Sequence, residues 1–175
     1  MSKCGLIRSA FLFTDEIRAV VHGLKYRGRA GLAGYLSGLA SARLAAYEEL
    51  NEYGVLVPVP LFEARRRERG FNQSFLLARG LAQASGRELL DKALFKIKDT
   101  PAQAGLDARQ RLENLQNAFA ADERLAAGRK ILLIDDVATT GATLEACAAA
   151  LKKAGASAVA GFSVAREQPS GSDLQ

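Results

Sequence analysis

Nine consecutive residues, Asp135-Asp136-Val137-Ala138-Thr139-Thr140-Gly141-Ala142-Thr143, put two carboxylates, three hydroxyls and a glycine into one short run. The run is preceded by Lys130-Ile131-Leu132-Leu133-Ile134, whose apolar stretch suits a central parallel strand covered on both faces. It is followed by helical spacing, with Leu144, Cys147 and Leu151 on one side and Gly155 closing the segment. A strand therefore emerges into two acids, passes through small and hydroxyl residues, and turns into a helix. Glycine and alanine let the backbone approach a ligand closely. N–H groups at a helix start form an anion cradle, helped by the helix dipole. Thr139, Thr140 and Thr143 add hydroxyl donors, so Val137–Thr143 suits a phosphate monoester. Asp135 and Asp136 are too close to such a phosphate to bind it. Ionised carboxylates accept hydrogen bonds from hydroxyls, and the neighbouring cis-diol of a ribose fits them. Phosphate beside diol describes a ribose 5-phosphate. The competing reading is a buried strand, an Asp-rich turn and a capped helix without a ligand. A Walker loop lacks its Gly-Lys-Ser/Thr, and a dinucleotide fingerprint lacks its glycines. A receiver domain does not follow its acids with a hydroxyl-rich cradle.

The second group with chemical potential is Arg65-Arg66-Arg67 with Arg69. Arginine grips phosphate with a two-pronged fork, and four in five residues could hold a pyrophosphate. A solvated basic turn or a nucleic-acid patch would have the same composition. Little aromatic interleaving surrounds the cluster, which argues against a single-strand stacking platform. Asn72 can cap the helix that begins after it, or Asn72 and Gln73 can hold the basic loop in place.

The elements that must position these groups alternate along the chain. Helical spacing covers residues 14–24, with Thr14 as N-cap, and an Ala- and Leu-rich helix covers 30–50. Residues 55–59 form a short buried strand closing in Pro58-Val59-Pro60, and 71–84 form a helix ended near Gly86. Residues 92–97 and 116–120 read as strands, 98–114 as a long polar loop with a helical turn at 107–113, and 157–164 as a last strand. This alternation predicts an α/β domain with a mostly parallel central sheet flanked by helices, whose ligands bind at the carboxyl ends of the strands.

These blocks resemble the type I phosphoribosyltransferases, and in particular the ComF/GntX family of competence-associated proteins. The matching residues are Leu24-Lys25-Tyr26-Arg27-Gly28, Val57 through Leu61, Arg67 through Gln73, Asp99 through Gln103, Leu106 through Arg111, Asn114, Phe119 and the 131–143 loop. The resemblance implies the type I phosphoribosyltransferase fold with a small N-terminal hood. It divides the chain into a helical hood segment at 1–50, a transferase core at 51–168 and a disordered tail at 169–175. It implies that 5-phosphoribosyl 1-pyrophosphate binds with Mg²⁺ and that phosphoribose passes to an unidentified nitrogen acceptor. Asp135, Asp136 and Arg111 take the catalytic positions, with the two acids facing the metal through water or the ribose hydroxyls. Pyrophosphate falls to Pro60, Leu61, Arg65, Arg67, Arg69, Asn72 and Gln73, in the loop after the first core strand. Thr100, Gln103 and Asn114 belong to a lid that closes over the reacting centre and excludes water. Many family members begin with a cysteine-rich, zinc-finger-like segment, of which Cys4 alone stands here, so no zinc is expected.

The chain has 175 residues, 49% of them hydrophobic and 25% charged, values that suit one soluble domain. Its net charge of +5 suits phosphate-rich small ligands as well as nucleic acid. No apolar run is long enough to span a bilayer, and no signal peptide is evident. Cys4 and Cys147 are far apart and in no CxxC pair, which points to free thiols in a reducing cytoplasm. The lone His22 reads as structural. The alternative function is a non-catalytic phosphoribosyl-ligand-binding regulator, or a DNA-uptake (competence) accessory protein acting with competence proteins. A homodimer is the common assembly for the class.

Overall fold

The structure is a computed structural model that describes residues 2–26, 31–99, 115 and 117–167. Its main sheet has the order β1 (Ile7–Leu12), β7 (Ala158–Arg166), β6 (Lys130–Ala138), β2 (Val55–Pro58) and β3 (Glu88–Leu89). Every neighbouring pair in it is parallel. A second, two-stranded ribbon pairs β4 (Leu94–Lys96) with β5 (Phe119–Ala121) antiparallel.

The apolar run of β6 explains its central place. Ile131 and Leu133 point into one core, and Leu132 and Ile134 point into the other. The first core is closed by Leu144, Cys147, Ala148 and Leu151 of α6 (Ala142–Lys153), together with Leu94 and Phe119 of the ribbon. The second is closed by Val21 and Leu24 of α1 (Asp15–Tyr26), Leu36, Ala40 and Leu44 of α2 (Gly31–Ala45), and Leu77 and Leu81 of α4 (Gln73–Ser85). The sheet is thus the middle of three layers, and the interior sequence of β6 has no polar residue before Asp135 because both faces are covered. Between α2 and α4 a Cβ on Gly80 would stand 2.7 Å from the Ser37 Cβ, so the glycine lets the two helices pack closely.

The short helices α3 (Glu63–Arg69) and α5 (Glu123–Ala126) complete the elements, with one turn of 3₁₀-helix at Glu48–Leu50. Two expectations change here. Residues 60–69, expected as a loop after β2, contain α3. Glu63 in its first turn pairs with Arg66 and Arg67 one turn on, and acid before base suits the helix dipole. Residues 1–50, expected as a helical hood segment, contain the helices α1 and α2 and also supply an edge strand: Ile7↔Gly161 through Leu12↔Arg166 register β1 on β7. The pairing joins segments about 150 residues apart, so local spacing in the N-terminal segment carries no trace of it. The tail at 169–175 and the lid residues of 100–114 lie outside the described residues.

Chain order reverses between β2 and β6. From β2 the chain steps outward to β3, and from β6 it steps the other way to β7. The carboxyl ends of β2, β6, β7 and β1 all open on one edge, where a switch point makes a crevice.

Candidate functional site

The strand β6 ends at Ala138, and Thr139-Thr140-Gly141 carry the chain into α6. Gly141 is the N-cap and has φ 80°, the left-handed region that side chains disfavour. A Cβ there would also meet Ile7 Cδ1 at 3.0 Å. The start of the helix lies at the crevice, where the Ala142 amide donates to Thr140 Oγ1 at 3.4 Å. A cleft of about 230 Å³ lies there, lined by Phe13, Asp135, Val137 through Leu144, and Glu167. Every residue expected in the phosphate cradle, Val137, Ala138, Thr139, Thr140, Gly141, Ala142 and Thr143, is on that wall.

The two acids differ in placement. Asp135 lines the cleft and is 8% exposed, whereas Asp136 is 4% exposed and is not among the described lining residues. Asp135 Oδ1 accepts from Ser74 Oγ at 3.0 Å and from the Asp136 amide at 2.9 Å. Those donors hold the carboxylate at one angle. Ser74 sits in the first turn of α4, where Asn72 caps the helix by accepting from the Ser74 amide at 3.0 Å. Asn72 Nδ2 in turn donates to the Val59 carbonyl at 3.0 Å, just past the end of β2. One side chain therefore caps α4 and anchors it to the backbone at Val59. Ser74, which the sequence analysis did not single out, links the two halves of the site. Its only signal was a hydroxyl one position inside a capped helix.

The basic group is less uniform than its sequence. Gly70 ends α3 with φ 84° and donates to the Arg66 carbonyl at 2.8 Å. Arg66 makes a two-pronged pair with Glu63 at 3.0 and 3.1 Å, and Arg67 reaches the same carboxylate at 3.8 Å. Both pairs are solvent-exposed and contribute little to stability. Arg69 is turned back by the buried Gln73, whose Oε1 accepts from Arg69 NH1 at 2.6 Å. Burial lowers the pKa of Lys96, and the nearby Arg65 adds to the effect. Lys96 closes β4, with its ammonium 5.9 Å from the centroid of the Phe119 ring. None of Pro60, Leu61, Arg65, Arg67, Arg69, Asn72 or Gln73 is among the described lining residues of the cleft. Arg65, Arg67 and Arg69 are on α3, Asn72 and Gln73 are at the start of α4, and Pro60 and Leu61 lie between β2 and α3. Thr100, Gln103, Arg111 and Asn114 lie outside the described residues.

Thiol chemistry has no support. Burial pushes the Cys4 thiol up to about 12, with Glu145 adding to the effect. Cys147 is fully buried on the inner face of the cradle helix, and burial, reinforced by Asp135, holds its pKa well above the ordinary range. His22 is on the exposed side of α1.

Comparison with known proteins agrees with this geometry. Residues 72–173 match the model of the phosphoribosyl transferase domain. The chain belongs to the phosphoribosyltransferase family. Within it, the relatives place the chain in the ComF branch. It is 36% identical over 113 residues to "Competence protein F" of Haemophilus influenzae, covering 63% of this chain and 49% of that one. It is 35% identical over 152 residues to "DNA utilization protein YhgH" of Escherichia coli K12, covering 84% and 66%. It is 33% identical over 161 residues to "Competence protein ComFC" of Bacillus subtilis, covering 91% and 63%. The chain thus spans between about half and two thirds of the length of these curated relatives. Among solved structures it resembles the "allosteric regulatory enzyme of purine biosynthesis" (TM-score 0.52, 19% identity, 75% of this chain and 26% of that one). It also resembles "glutamine phosphoribosylpyrophosphate (PRPP) amidotransferase" of Bacillus subtilis (TM-score 0.50, 18% identity, 75% and 26%). At those identities the likeness concerns the fold, which is the type I phosphoribosyltransferase fold. Among the described residues no helix of this ComF-family chain is long and apolar enough to cross a membrane.

Proposed function

We propose that this ComF-family chain binds 5-phosphoribosyl 1-pyrophosphate with Mg²⁺ and transfers its phosphoribose to a nitrogen acceptor. The observation that carries the reading is that the Val137–Thr143 cradle and the Asp135 carboxylate line the same cleft. The cradle would hold the 5-phosphate, and Asp135 would accept hydrogen bonds from the ribose hydroxyls, directly or through water.

In the proposed reaction the bond from C1 to the pyrophosphate oxygen breaks, and the leaving group takes the electron pair. The acceptor nitrogen forms the new bond to C1 with its lone pair and gives up a proton to solvent. Positive charge builds on the ribose and negative charge on the leaving group. Arg65, Arg67 and Arg69 on α3 would meet the latter, since preorganised cations stabilise charge where it develops. Asp135 and Asp136 are hard oxygen donors of the kind Mg²⁺ takes. Among the described residues no group of three or more His, Cys, Asp or Glu could hold a metal ion. The ion would therefore share its coordination between these acids, water and the ligand's oxygens. When bound, it supplies charge neutralisation on the pyrophosphate.

Titration calorimetry with phosphoribosyl pyrophosphate and Mg²⁺ tests the reading. Wild type should bind, and an Asp135→Asn/Asp136→Asn variant should bind at least tenfold more weakly. No binding by wild type would overturn it.

A second reading is favoured by the relatives' names and by the net charge of +5: a ligand-responsive accessory protein in DNA uptake or use. It predicts ligand binding without pyrophosphate release across a nucleobase panel. If DNA is the partner, it also predicts salt-dependent binding that survives loss of Asp135 and Asp136.

A further inference from the structure

The outward face of α2 lacks what a solvated helix surface carries. From Gly31 through Ala42 it has no charged residue. Tyr35 and Leu39 stand one turn apart on that face, 63% and 43% exposed. A helix that is apolar all round is ordinarily covered all round. Beside these two side chains runs a row of small exposed residues: Gly31, Gly34, Gly38, Ala42 and Ala45. A glycine inside a helix costs stability relative to alanine. Gly80 of α4 has an internal reason for that cost, the close approach of Ser37. Gly31, Gly34 and Gly38 have none: a Cβ on any of them would meet no described atom within 4 Å. What their missing side chains make room for is something laid against the helix. The row is also symmetric. Its spacings are three, four, four and three residues, centred on Gly38, which is the midpoint of α2 (Gly31–Ala45).

We infer that α2 is a self-association surface, on which a second copy of this chain lays its own α2 antiparallel about a two-fold axis at Gly38. The inference goes beyond the transferase reading and does not depend on it. A two-fold axis presents the same patch from both sides, and a palindromic row meets itself in register. Gly31 falls opposite the partner's Ala45, Gly34 opposite the partner's Ala42, and Gly38 opposite the partner's Gly38. Side chains this small bring the helix axes to the short end of the usual spacing of about 8–10 Å. The axis also puts the Tyr35 and Leu39 edges of both copies on one side of the seam, where each Tyr35 covers the partner's Leu39. Parallel helices would separate them. Charge selects this occupant. The net charge of +5 makes two copies repel, but along Gly31–Ala42 no like charges are opposed. The first turn of α2 holds no acidic residue. The exposed Glu48, just past the other end of the helix, would come to that turn from the partner, an acid at the positive end of a dipole. An acidic partner, nucleic acid included, would find no counter-charge on this face and would be drawn to the arginines of α3. No residue of α2 is among the described lining residues of the cleft, so the ligand site is not part of the seam.

Sedimentation equilibrium of the full chain over a concentration series tests the inference, with melting curves to report folding. Wild type should show a monomer–dimer equilibrium. Gly38→Leu fills the seam at a position where the single chain has open space. It should weaken the dimer at least tenfold without lowering the melting temperature of the monomer, because leucine is the better helix former. Leu39→Lys should also weaken the dimer at least tenfold. Oxidative cross-linking reads the register, since Cys4 and Cys147 are buried. Gly38→Cys should cross-link to its own copy in the partner. Gly31→Cys alone should not, whereas Gly31→Cys/Ala45→Cys should, its two thiols being about 21 Å apart within one helix and unable to bridge internally. A wild type that stays monomeric up to its solubility limit would overturn the inference. So would a dimer indifferent to both Gly38→Leu and Leu39→Lys. Self-cross-linking of Gly31→Cys without that of Gly38→Cys would overturn the antiparallel register.

Discussion

The two sides of the crevice are built on different physical plans. The β6–α6 side is contiguous in sequence, buried apart from the exposed Thr139 and Thr140, and set by backbone: a covered strand, a left-handed glycine and a helix start. The α3 side is made of long, exposed side chains, two of which share one glutamate, on a helix with no buried residue. The first side is formed before any ligand arrives, so its contribution to binding carries little ordering cost. The second must collect flexible arginines from solvent, and its charges are screened by salt. The cradle should therefore set whether the ligand binds, and the arginines should set how strongly its pyrophosphate end is held.

The largest effect is expected at the cap. Gly141→Val would force a β-branched residue into φ 80° and push its Cβ toward Ile7 at 3.0 Å. Strain of this kind costs about 1–3 kcal/mol. Thermal melting should show that loss, and calorimetry should show at least a hundredfold loss of phosphoribosyl pyrophosphate affinity, with ribose 5-phosphate weakened alike. Affinity within threefold of wild type would mean that the cradle is not preformed in the sense argued here.

The next effect lies at the joint between the two sides. Ser74→Ala removes one of the two named donors to the buried Asp135 Oδ1. Leaving a buried charged acceptor short of a donor costs about 1–3 kcal/mol. Stability should fall by that order, and ligand affinity by about tenfold, as Asp135 loses its fixed angle. An unchanged melting curve together with unchanged affinity would show that α4 does not couple to the acid, and the two sides would then be independent.

The contrast also explains what was legible in the sequence. The cradle and its strand could be read because everything that shapes them lies within about two dozen residues: an apolar run, two acids, a glycine and a helical spacing. The same locality made the Asn72 cap visible. The edge strand β1 was not, because its partner β7 is at the other end of the chain and its residues show little alternation in burial. Phe13 and Glu167 were missed for the same reason, since only the parallel pairing of β1, β7 and β6 brings their backbones to one cleft. The strands expected at 92–97 and 116–120 are present in part as β4 and β5. That they leave the main sheet to form a separate ribbon depends on packing against α6, which no local pattern encodes. The helix α3 is a different case. Its Glu63 spacing to Arg66 and Arg67 was in the sequence, but the density of arginine and the following glycine read as a turn.

The smallest effect tests the weaker side directly. Arg67→Ala removes an exposed guanidinium whose partner in the free protein is Glu63 at 3.8 Å. Such pairs contribute little, so the melting temperature of the ligand-free protein should not move measurably. Arg66 keeps Glu63 occupied through two bonds of its own. The ligand should feel the change selectively: affinity for phosphoribosyl pyrophosphate should fall about tenfold, while ribose 5-phosphate, which lacks the pyrophosphate, should bind as to wild type. The gap between the two ligands should close as salt rises, because the Debye length falls from about 10 Å at 0.1 M to about 3 Å at 1 M. Equal loss for both ligands would place Arg67 near the cradle and erase the distinction between the sides. No loss for either would assign Arg67 to the surface pair with Glu63 alone and leave Arg65 and Arg69 as the leaving-group contacts.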